Sequence, residues 1–328
     1  MTAAAGSRAP GSEGELPRTA GGKRVDHAFR AVALAAGLLV LAVLALIAYA
    51  TTSKAWPAFT HQGLSFFTSR SWDPNTGSFG ALDFIYGTLV AAAIALLLAV
   101  PASLGIALFI TELAPSRVRS LMTYVVDLLA AIPSVVYGFW ALAAFTSPAA
   151  TFYDTVARTI GRVPGLEALF GGPVHGASFM TAGIILAVII TPIITSLSRE
   201  ALTTVPQDDK NGALAMGATR WEMLRVAVFP RVRSGLIGAS MLGLGRAMGE
   251  TIAVALTIGN SHQVTSHLFR AGDSMASVIA HQFPEAGDVH KAALIGLGVA
   301  LFAITIVVNL AARGIANRAS AMTRGATA

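Results

Sequence analysis

Residues 31–50 contain no charged side chain. About 20 apolar residues wound as a helix cross the roughly 30 Å hydrocarbon core of a bilayer. A helix in a soluble core is usually shorter and more evenly mixed with polar residues. The rest of the chain agrees: 54% of its 328 residues are hydrophobic and 12% are charged, against about 25% charged in an ordinary soluble domain. These observations predict an all-α membrane protein with six spans, near residues 29–51, 84–111, 121–145, 178–197, 234–259 and 292–312. The first apolar run starts near residue 29 and is long enough to span by itself, so it reads as a retained helix rather than a cleaved leader.

The distribution of positive charge orients these spans. Sixteen Lys and Arg fall before residue 31, in 112–120, in 198–233 and after the last span, while five fall in the alternate loops. Positive residues accumulate on the cytoplasmic side, which predicts cytoplasmic termini and a cytoplasmic-membrane location. The same distribution accounts for the net charge of +6 without a nucleic-acid partner, since no basic patch interleaved with aromatics occurs. Residues 1–28, rich in Gly, Ala, Ser and charge, are expected to form a disordered tail, 29–318 the membrane domain, and 319–328 a second cytoplasmic tail. The absence of cysteine removes thiolate metal sites and disulfides. His262, His267, His281 and His290, with Asp273, Glu285 and Asp288, have no compact metal-ligand spacing, so no metal site is expected. That loop is a more natural contact for an external partner.

Three features interrupt the apolar pattern. Pro133, followed by Ser134, lies inside the third expected span, where it removes a helix hydrogen bond. It reads either as a tolerated kink or as a bend around a transport path, with the Ser134 hydroxyl bonding back to a carbonyl. Arg246 and Glu250 lie inside the fifth, at a spacing that puts both on one helix face. Intramembrane charges are expensive and mark a functional site or a helix-clamping ion pair; arginine offers a planar fork to an oxyanion. Asp127 is a third such charge, able to pair with Arg246, to meet another chain or to snorkel to the interface.

Residues 198–233 form a connection far longer than the 2–8 residues usual between neighbouring helices. Within it, Gly212 to Glu222 reads as a helix, a glycine turn at Gly217 and a second helix capped by Thr219 and Glu222, limited by Pro230. Asn211-Gly212-Ala213, Gly217-Ala218 and Phe229-Pro230 resemble the cytoplasmic loop of ABC importer permeases, with Asn211, Gly212 and Phe229 standing where that family usually has Glu, Ala and Leu. The string from Ser234 through Gly245-Arg246-Ala247-Met248-Gly249-Glu250-Thr251 to Asn260, together with Trp72-Asp73-Pro74 and Ile132-Pro133-Ser134, resembles the phosphate-specific branch, the PstC type.

The resemblance implies a type I ABC importer permease fold and translocation of inorganic phosphate by alternating access. It further implies a PstA-like second permease, a homodimeric ATPase gripping the loop, and an extracytoplasmic phosphate-binding protein. No phosphate-cradling GxxxxGK[ST] loop occurs here, so ATP and Mg would belong to the ATPase, and this chain would carry no catalytic residue or cofactor. Another oxyanion (sulfate, molybdate or phosphonate) and an ion-coupled secondary transporter are the alternative readings; the latter would show matched inverted repeats.

Overall fold

The computed structural model describes the backbone of residues 20–325 and the side chains of residues 26–314. The expected tail over 1–28 lies outside the described residues as far as residue 19, and residues 326–328 of the second tail lie outside them too. The chain divides into two units, Met1–Ala50 and Thr51–Ala328. The first is occupied, where described, by helix α1 (Ala20–Gln62), whose last turns belong to the second.

In the second unit, a short helix α2 (Ser65–Thr68) leads to a two-stranded hairpin, β1 (Trp72–Asp73) and β2 (Ser78–Phe79), with Trp72 opposite Phe79. The hairpin turn is built by Asp73, whose carboxylate accepts from the Asn75 amide at 2.9 Å and the Thr76 hydroxyl at 3.0 Å. Those bonds, that from the Asn75 amide foremost, hold the Asp73 carboxyl below its ordinary pKa.

The long helices follow. α3 (Leu82–Leu108) continues into a π turn at Phe109–Leu113. α4 (Ser116–Ala131) and α5 (Ser134–Trp140) flank Pro133, and a π turn at Ala141–Phe145 joins α5 to α6 (Thr146–Thr159). After α7 (Glu167–Phe170) comes α8 (Phe179–Thr203), then α9 (Gln207–Ala215) and α10 (Arg220–Met223). A π turn at Leu224–Val228 feeds α11 (Phe229–Gly249), followed by α12 (Ile252–Thr257), α13 (Met275–Gln282) and α14 (Asp288–Gly325).

α8 is the central post, packed between α3 and α11. Glycine permits the contacts: a Cβ on Gly183 would lie 2.5 Å from Ile94 Cγ2, and one on Gly243 2.5 Å from Ile194 Cδ1. Ala91, Ala95, Leu186, Ile190 and Met248 close the core around these crossings. The start of α8 is held by a returning loop. Phe179 and Met180 donate their amides to the carbonyls of Arg270 and Leu268, and Ser178 accepts from the Thr181 amide, so N–H groups that every helix leaves unpaired are met inside the protein.

Among the described residues, five helices are long and apolar enough to cross a membrane: Asp26–Gln62, Leu82–Leu113, Ser134–Arg162, Phe179–Thr203 and Asp288–Gly314. Two expected spans are cut differently. The third, over 121–145, does not bend at Pro133 but breaks there. Ile132 is extended at φ −67° and ψ 128°, the conformation that a following proline's ring favours. The hydroxyl that reaches back across the break is that of Tyr137, on the Leu129 carbonyl at 3.0 Å. The fifth, over 234–259, stops at Gly249, and Glu250 takes an extended ψ of 126° before α12 begins. α11 carries Arg231, Arg233 and Arg246 and is not among the five apolar helices.

Candidate functional site

Two regions hold most of the residues singled out in the sequence. The first is the loop between α8 and α11. Pro206 opens α9, whose first turn carries Asp208 and Asp209, the acidic pair that a helix N-terminus favours. The helix ends at Met216, and Gly217 adopts φ +86°, a left-handed conformation that costs a residue with a Cβ about 1–2 kcal/mol. Thr219 then caps α10. Its hydroxyl accepts from the Glu222 amide, and the Glu222 carboxylate accepts from the Thr219 amide at 2.8 Å. The bond from that amide, more than the one from the Thr219 hydroxyl, holds the Glu222 carboxyl below its usual pKa.

Pro230 does not end this helix. The π turn shifts the register just ahead of it, with the Phe229 amide bonded to the Leu224 carbonyl, and Pro230 enters the first turn of α11, where a missing N–H costs little. A helical run therefore carries from Thr219 straight into the body of the protein.

What braces the loop was not readable from the residues in order. Lys210 Nζ lies 2.6 Å from Glu112 Oε1, and both side chains are about nine-tenths buried. Arg231 and Asp209 pair at 2.8 Å. Glu112 sits in the π turn that ends α3, so the brace ties α9 to a helix 98 residues earlier in sequence. Beside it, Met216 (90% exposed), Trp221 (61%) and Val226 (73%) project apolar surface outward. Asn211, Gly212 and Ala213 lie on α9 and Ala218 in the turn, so the sequence-picked residues form one continuous helix–turn–helix.

The second region surrounds Arg246. Its guanidinium stands 4.0 Å from Glu250 Oε2, too long for a hydrogen bond, and it is 47% exposed while Glu250 is 8% exposed. Glu250 sits just past the end of α11, rather than one turn along a continuous helix. Arg246 lines a groove of about 670 Å³ between α11 and α14, with Gly238, Leu242, Thr305, Asn309 and Arg313. Asp127 is elsewhere, 3.8 Å from Arg199 on α8 and half exposed. The structure thus brings Arg246 and Glu250 together and sets Asp127 apart. Thr305, Asn309 and Arg313 were passed over in the sequence, although their i, i+4, i+8 spacing on an apolar helix was visible there.

Between α12 and α13, Asp273 is buried and accepts from the Ser274 amide at 2.8 Å; His262 Nε2 lies 3.7 Å away. Burial raises the Asp273 carboxyl above its ordinary value. Among the described residues, no group of His, Cys, Asp and Glu is arranged to hold a metal ion.

Comparison with known proteins places this architecture. A family model described as "Binding-protein-dependent transport system inner membrane component" matches residues 99–321. The phosphate transport system permease protein PstC of Mesorhizobium japonicum is 42% identical over 304 residues, covering 91% of this chain and 92% of that protein. The PstC of Haemophilus influenzae is 42% identical over 88% of this chain and 92% of its own length, and PstC 2 of Mycobacterium tuberculosis 40% over 90% and 92%. The same fold occurs in a bacterial ABC transporter involved in import of the acidic polysaccharide alginate (TM-score 0.58, 18% identity, 90% of this chain and 99% of that one). It occurs again in the MetNI methionine ABC transporter (TM-score 0.51, 16% identity, 74% and 94%). With both its loop and its Arg246 region inside the matched length, the chain belongs to the binding-protein-dependent inner membrane permeases of ABC importers, in their PstC branch.

Proposed function

We propose that this chain forms half of the membrane path of an ATP-driven inorganic phosphate importer, paired with a PstA-like permease. The observation that carries the reading is the 42% identity to PstC permeases across nine-tenths of the chain. A phosphate ion stripped of water in hydrocarbon would cost tens of kcal/mol, so the path needs a fixed positive group. Arg246 supplies one: it lies in the last turn of α11, open to a groove and held only loosely by Glu250. Glu250 orients the guanidinium and accepts a hydrogen bond from a protonated phosphate oxygen.

ATP and Mg sit on a separate homodimeric ATPase, and an extracytoplasmic phosphate-binding protein delivers the ion. The ATPase grips the Met216–Trp221–Val226 surface, and the rigid run from Thr219 into α11 carries its closure to Arg246. The test is uptake of labelled phosphate by cells in which this chain replaces the native permease. Arg246→Ala should abolish uptake, at least a hundredfold, while the assembled complex survives; Arg246→Lys should recover a small part, because an ammonium is a point charge rather than a fork. Uptake by Arg246→Ala at the native rate would overturn the assignment.

A further inference from the structure

The face of α14 opposite Arg246 carries chemistry out of place in a lipid-facing helix. Thr305, Asn309 and Arg313 follow one another at i, i+4 and i+8, about 6 Å apart, and all three line the groove that holds Arg246. Their neighbours there, Phe302, Ile306 and Leu310, are apolar. α11 leaves the coupling loop at Phe229, whereas α14 starts beside the outer hairpin, where His290 stacks on Phe79 at 5.4 Å. The two helices run in opposite directions. Arg246 therefore lies at the deep end of the groove, and Arg313 at the end nearest the coupling loop.

The hydrogen-bonding capacities alternate along this stripe. Arg246 and Arg313 only donate. Thr305 already gives its hydroxyl proton to the Leu301 carbonyl at 2.7 Å, so its oxygen is left as an acceptor, and Asn309 offers both an amide donor and a carbonyl acceptor. Gly238 and Gly245, on the opposite wall, have open space where a Cβ would stand, which leaves room for a hydrated ion. The lining suits an oxyanion bearing both bare oxygens and a P–OH group.

We propose that the α11–α14 groove is an anion track in which Arg246 takes the oxyanion, and Thr305, Asn309 and Arg313 pass it toward the coupling-loop end. This rests on the reading of the chain as an oxyanion permease. It adds a direction and three residues that the Arg246–Glu250 pair alone does not contain. A structural polar stripe sealed between helices would make no contact with solvent ions.

The chain has no cysteine, so each substitution introduces its one thiol. Asn309→Cys and Arg313→Cys are made in the full transporter, with its other subunits also cysteine-free, and labelled with anionic and cationic methanethiosulfonates of similar size. The anionic reagent should modify residue 309 about tenfold faster than the cationic one, because two arginines, Arg246 and Arg313, line the same groove. Millimolar inorganic phosphate should slow the reaction, and Arg246→Gln should erase the preference. Equal rates for both charges, or no labelling in a complex that transports, overturns the track. Thr305→Cys, nearly isosteric, serves if Asn309→Cys does not assemble. The unsubstituted complex is assayed alongside: if it takes up no phosphate, the permease reading itself fails; if it does and residue 309 is indifferent to charge, only the track fails.

Discussion

Removing one partner of a buried ion pair leaves the other without water or countercharge. Lys210 and Glu112 are such a pair, at 2.6 Å with both side chains nearly enclosed. Lys210→Met should destabilise the solubilised complex by about 3–5 kcal/mol, while Lys210→Met with Glu112→Leu should return to within about 1 kcal/mol of the parent. A double-mutant cycle in chemical unfolding measures this; a cost for the single change no larger than for the double would show the pair to be solvated. The brace was invisible in the sequence because its partners are 98 residues apart and each looks like an ordinary loop charge. The partner of Asp127 escaped for the same reason, its Arg199 contact being made by tertiary packing. Asp273 gives a pH signature. Burial raises its pKa, so its contribution to stability is fully present below the ordinary carboxyl value of 3.8 and is lost as pH rises through the raised one. In a His262→Gln background, Asp273→Asn should flatten thermal stability against pH across that window. An unchanged slope would assign the titration to another group.

At the scale of elements, Gly212 and Gly217 separate two uses of the same residue. Gly212 lies inside α9 with open space around it, whereas Gly217 holds φ +86°. Gly212→Ala should be neutral or stabilise the loop by up to about 1 kcal/mol, since alanine is the better helix former. Gly217→Ala should cost about 1–2 kcal/mol and lower uptake while the complex still assembles. Equal effects in thermal unfolding and uptake would mean the turn is not held in its left-handed form. Much of this element was legible: the Thr219–Glu222 spacing announced the capping box, and a glycine between two polar helices announced the turn. The passage through Pro230 was not, because proline signals a stop unless a π turn precedes it, and that turn has no sequence signature of its own. The break after Gly249 had a signal that could have been used. A glycine at the end of a helical run is a common stop, but the apolar stretch 252–258 masked it.

For the whole molecule, the loop that the proposed function couples to an ATPase and the arginine that it puts on the ion path lie apart. The coupling loop is tied to the end of α3 by Lys210–Glu112 and joined to α11 by an unbroken helical run, and Arg246 lies near the far end of α11. From Phe229 to Arg246 is 17 residues, about 26 Å of helix, and in the proposed function that length serves as a lever between loop and arginine. Apolar length made the membrane class legible from sequence alone. The lever was not, since it depends on which helices share a rigid post, here α8. If force enters through the exposed apolar surface of the loop, Trp221 is its natural anchor, large, aromatic and 61% exposed in this chain. Trp221→Ala should weaken ATPase association by about 2 kcal/mol or more, roughly thirtyfold, and reduce phosphate uptake in step, without altering the thermal stability of the permease pair. Retained ATPase affinity with lost uptake would instead put Trp221 in transmission rather than docking. Unchanged affinity and uptake would move the docking surface away from this loop altogether.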